Sequence, residues 1–68
     1  MHFIELPIWP IDDTEEMMLL IDLEGISHIR EDDENPQWTR LYIAGSNDHY
    51  QCTLSYTAVK QRVLEMQK

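Results

Sequence analysis

Residues 38–54, WTRLYIAGSNDHYQCTL, limit what this chain can become more than any other stretch. The first seven are rich in aromatic and branched side chains, residues 45–48 (GSND) supply turn chemistry, and residues 49–54 return. That pattern predicts a β-hairpin. Alternation assigns Thr39, Leu41 and Ile43 to one face and Trp38, Arg40, Tyr42 and Ala44 to the other. On the return strand, Tyr50, Cys52 and Leu54 oppose His49, Gln51 and Thr53. Large apolar groups on both faces of the first strand require two covers, of which a C-terminal helix supplies one.

That helix is announced by Ser55, whose side chain can accept from an unpaired first-turn N–H. Tyr56, Val59, Val63 and Met66 then recur at spacings of three, four and three, one helical stripe, with Lys60, Gln61, Glu65 and Lys68 mostly on the wet side. Upstream, residues 17–25 (MMLLIDLEG) begin as an apolar run and shift to alternation, which predicts a strand entering a buried position. Ile26 and Ile29 are three apart and cannot share one face of a regular strand. A bulge or turn at residues 25–27 reconciles them, with a short helical turn as the rival. Residues 2–11 (HFIELPIWPI) read as an extended piece interrupted by Pro7 and Pro10, fit for an edge or the outside of the sheet. The expected fold is α+β: a small antiparallel sheet of three to five strands with one C-terminal helix packed on one face. Residues 1–68 form a single domain, with a proline-interrupted segment at 1–16, the sheet at 17–54 and the helix at 55–67.

Ile26-x-x-Ile29, Thr39-x-Leu41-x-Ile43, Gly45 at the turn, and Ser55-Tyr56 opening a helix with Val59 and Val63 resemble the small FlbD family of bacterial flagellar operons, over residues 20–66. The sheet-then-helix order is also similar to the core of LytTR-type DNA-binding domains. The shared positions are core, turn and cap residues, so the resemblance implies a fold. It also implies a flagellar-type regulatory accessory role with no catalytic residues.

A 68-residue domain has a small core and commonly gains support from a metal, disulfides or a second subunit. Cys52 is the only cysteine, so no internal disulfide forms, and the size argument favours a homo-oligomer. A lone thiol, no run of about 18 apolar residues and no signal-like N-terminus fit a cytoplasmic protein with no membrane partner. Thirteen acidic residues against five basic ones give a net charge of -8. That balance opposes direct nucleic-acid binding, which draws on Lys and Arg, and favours a protein partner with a basic surface.

Eight of the acids fall in two clusters: Asp12, Asp13, Glu15 and Glu16, and then Glu31, Asp32, Asp33 and Glu34. The second, EDDENP, has no glycine and no distal glutamate at calcium-loop spacing. It reads first as a solvated connection between strands. If both clusters leave the same end of the sheet, they form one negative patch able to occupy a phosphate-binding cleft. His2, His28 and His49 match no metal-ligand spacing. Cys52, beside Tyr50 and Leu54, reads as a small core residue, and Ser46, Asp48 and His49 sit too close together on one turn to act as a triad. No cofactor, metal or catalytic residue is expected. Trp38 and Tyr42, flanked by Arg40, either pack on Phe3, Ile8 and Trp9 or form an interface, where Trp, Tyr and Arg are enriched. The expectation is a non-enzymatic module docking on a basic protein, as an inhibitor or nucleic-acid mimic of phage type. The flagellar accessory role and a small-ligand-binding oligomer are the alternatives.

Overall fold

The computed structural model describes residues 2–9 and 15–66. In chain order these form β1 (Phe3–Trp9), β2 (Met17–Asp22), a 3₁₀ turn (Leu23–Gly25), β3 (Ile26–Glu31), β4 (Thr39–Ile43), β5 (His49–Cys52) and α1 (Tyr56–Met66). The five strands make one open antiparallel sheet in the order β2-β1-β5-β4-β3, with α1 on one side: the expected α+β class. Among the described residues no helix is long and apolar enough to cross a membrane.

The hairpin forms as its alternation predicts. Thr39 and Leu41 face α1 and are buried, with Cys52 opposite Thr39 and Tyr50 opposite Leu41. Gly45 takes φ +78° at the turn, a conformation that disfavours a side chain. Ser55 caps α1, its Oγ accepting from the Ala58 N–H at 3.2 Å. Val59, from the middle of the helical stripe, is fully buried against Ile4, Leu6, Ile8, Ile21, Leu41 and Cys52. The sheet is strongly coiled around this core. β2 and β3 are its two edges, and only Leu23–Gly25 lies between them in the chain. Four Cα steps span at most about 15 Å, whereas a flat five-stranded sheet holds its edges about 19 Å apart.

Two sequence expectations need correction. The proline-bearing segment reads as an edge or an outer wrapping, yet β1 lies inside the sheet between β2 and β5, with Pro7 buried within it. The Pro7 carbonyl accepts from Thr53 N–H at 3.1 Å, so the side lacking a donor also faces β5, just past the last strand residue, Cys52. The return bond of that pair is the one Pro7 cannot donate, so the β1–β5 ladder ends there, at Ile8 opposite Cys52. Conversely, the apolar run expected to be buried forms edge strand β2, with Met17, Met18 and Leu20 exposed. At residues 23–28 both rival devices occur, a 3₁₀ turn and then a bulge. Ile26 opposes Ile43 and His28 opposes Tyr42, so Ser27 is the extra residue, and Ile26 and Ile29 recover the same face.

Candidate protein-docking face

The face of the sheet turned away from α1 follows from the same registers. Arg30, Arg40, Gln51 and Trp9 line up across β3, β4, β5 and β1 in one row, and His28, Tyr42 and His49 in the next. The bulge at Ser27 is what turns His28 and Arg30 to this side. His28 stacks on Tyr42, centroids 4.5 Å apart at 11°, and His49 packs on the other side of Tyr42 at 5.3 Å. The Arg30 guanidinium lies 5.7 Å from the Tyr42 ring centre, in cation–π range. Trp38 meets Trp9 at 5.7 Å. Of the packing expected for the two aromatics, the Trp38–Trp9 contact forms. Tyr42 instead has histidine neighbours, and Ile8 faces the core.

Two arginines directly opposite each other on neighbouring strands repel, and this explains much of the acidic run. Asp33 binds Arg30 Nη2 at 2.6 Å and lies 3.9 Å from Arg40 Nη1. Asp32 is buried 3.4 Å from Arg40 Nε, a charge contact without the alignment of a hydrogen bond. Asp32 also organises the connection. Its Oδ1 accepts from the Glu34 and Asn35 amides at 2.8 and 3.2 Å, and its Oδ2 from Gln51 Nε2 at 3.1 Å. Burial alone would push this carboxyl up. The Gln51 side chain, the two amides and Arg40 together outweigh that and hold it below the ordinary 3.8. Arg40 Nη1 donates to Tyr42 Oη at 3.3 Å, and this bond is the main cause lowering the Tyr42 phenol and raising the Arg40 guanidinium from their ordinary values.

Trp38, Arg40 and Tyr42 therefore share one face, but the acids divide. Asp32 and Asp33 are engaged with arginines, while Glu31, Glu34, Glu15 and Glu16 are exposed; Asp12 and Asp13 lie outside the described residues. β1 runs toward the β4–β5 turn, since Ile8 opposes Cys52 and Trp9 opposes Gln51. β3 leaves the sheet at the other end, at Glu31 opposite Thr39. The strand directions thus carry Glu15 and Glu16, just before β2, and Asp32 to Glu34, just after β3, away from each other along the sheet. Among the described residues no three His, Cys, Asp or Glu side chains converge on one point.

His28 and Arg30 join this face without having been singled out from the sequence as part of it, because their parity depends on the bulge at Ser27. His49 and Gln51, which alternation already pairs on one face, are turned to this side by the β4–β5 register, and Trp9 by its place opposite Gln51. Cys52 is fully buried in the core, where burial pushes its thiol up. It is expected to resist alkylation in the native protein and to react once the chain is unfolded in denaturant. Native-state labelling as fast as that of the unfolded chain would contradict its placement. Compared with protein-family models, curated proteins and solved structures, the chain matches none.

Proposed function

We propose that this chain is a non-enzymatic docking module that binds a protein partner through the sheet face opposite α1. The observation that supports it is the seven-residue array of Arg30, Arg40, Gln51, Trp9, His28, Tyr42 and His49, joined by Trp38, on the face opposite α1, where the 32–38 connection packs along the Arg40–Gln51–Trp9 row. Trp, Tyr and Arg are the side chains that most often dominate binding energy. Here the Asp32 and Asp33 contacts hold Arg30, Arg40 and Gln51 in place before binding, which lowers the ordering cost. The exposed glutamates and the net charge of -8 steer a basic partner and set the salt dependence of encounter. Blocking a nucleic-acid-binding protein, or serving as the flagellar accessory that the FlbD resemblance implies, are two uses of one such face. Mimicry of a phosphate run by the acids alone is less favoured, because Asp32 and Asp33 already neutralise arginines.

The test is capture from a lysate of the source cells with wild type, Trp38→Ala, Tyr42→Ala and the Glu31→Gln/Glu34→Gln pair, followed by titration of the recovered protein. The expected result is a partner whose affinity falls at least about 30-fold on Trp38→Ala, roughly 2 kcal/mol. Neutralising the glutamates should act mainly on the on-rate at low salt. A partner indifferent to both aromatic substitutions but lost on removing the glutamates would overturn the reading in favour of acidic mimicry.

A further inference from the structure

We propose that two copies of this chain pair antiparallel along the edge of β2 that no described strand covers, across a two-fold axis, and join their sheets into one of ten strands. This does not rest on the docking function above, since it uses a different surface. The two edges of the sheet are unlike. β3 carries a bulge, Arg30 and Glu31, features that discourage edge pairing. β2 has no charge or proline from Met17 to Ile21, and Met17, Met18 and Leu20 are 48%, 55% and 62% exposed. An apolar edge of this kind is a template for another strand.

A second copy is the occupant that fits. With the pairing centred on Leu19, Leu20 of each copy lies opposite Met18 of the other, on the face away from α1. Met17 lies opposite Ile21, and no ionised side chain enters the ladder between residues 17 and 21. The contact is isologous, and the apolar side chains complement themselves. The paired segment is only about 17 Å long, too short for one strand to bury the roughly 800 Å² per partner of a stable interface, so the dimer is weak and depends on concentration. Each copy carries a charge of -8, so salt should strengthen the pairing. That is the reverse of docking on a basic partner. The axis runs through the sheet, so both docking faces end up on the same side.

The experiment is sedimentation velocity from dilute to concentrated protein, at low and high salt, on wild type, Leu20→Lys and Trp38→Ala. The expected result is a dimer that grows with concentration and salt, weakens at least about tenfold in Leu20→Lys, and persists in Trp38→Ala. Wild type that stays monomeric throughout would overturn the proposal, as would a dimer lost in Trp38→Ala but intact in Leu20→Lys. Should circular dichroism show Leu20→Lys unfolded, amide exchange on wild type decides. Protection of residues 17–21 that rises with concentration supports the pairing, and unchanged protection refutes it.

Discussion

Asp32→Ala is expected to destabilise the fold by about 3–5 kcal/mol, the usual result of removing one partner from a buried charge pair. The loss is large because one carboxylate does three jobs. It closes the 32–35 turn through two amides, ties that turn to Gln51 of β5, and sits against the Arg40 guanidinium, whose side chain is only 16% exposed. Without it, Arg40 faces Arg30 across the ladder with Asp33 alone to balance both. A domain of this length has a total stability of about 3–10 kcal/mol, so the loss takes roughly a third of it at the least and all of it at the most. Urea titration followed by tryptophan fluorescence reads this directly, and a loss below about 1 kcal/mol would show the network to be incidental. The same carboxyl predicts the acid limb. Its folded value lies below the ordinary 3.8, so its contribution is complete above that pH and fades as the pH falls through the lower, folded value. In Asp32→Asn this part of the acid sensitivity should disappear.

Leu6→Ala is expected to cost about 3 kcal/mol, within the 2–5 kcal/mol range for emptying a well-packed site. Leu6 is 1% exposed at the middle of β1, opposite Leu19 and within the cluster that includes Val59 of the helix. The cavity would fall where sheet and helix meet, and a core with seven buried apolar side chains among the described residues has little room to collapse around it. Leu20→Ala, one strand away but 62% exposed, should change stability in dilute solution by no more than about 0.5 kcal/mol. Equal losses at the two sites would mean that Leu20 is as buried as Leu6, and exchanged losses that β1 and β2 present their faces the other way round.

What could be read in advance follows the range of each interaction. The hairpin faces, the Ser55 cap and the Val59–Val63 stripe depend on periods of two and 3.6 residues, and all are where the sequence puts them. Pro7 misleads, because the cost of a missing donor depends on which side it faces and where the neighbouring strand stops. The run at Met17 misleads differently: a buried strand and an uncovered apolar edge share one hydropathy pattern. The acidic run shows four carboxylates but not the arginine pair that two of them balance. That pair exists only through the β3–β4 register, itself displaced by one residue at Ser27.

The most direct measurement of the docking claim is an NMR titration of the isotope-labelled chain with its captured partner. The largest shifts are expected at His28, Arg30, Arg40, Tyr42, His49 and Gln51, with Lys60, Gln61 and Leu64 on the far side of α1 unmoved. Shifts concentrated on α1, or on Glu31 and Glu34 with the aromatic row silent, would contradict it.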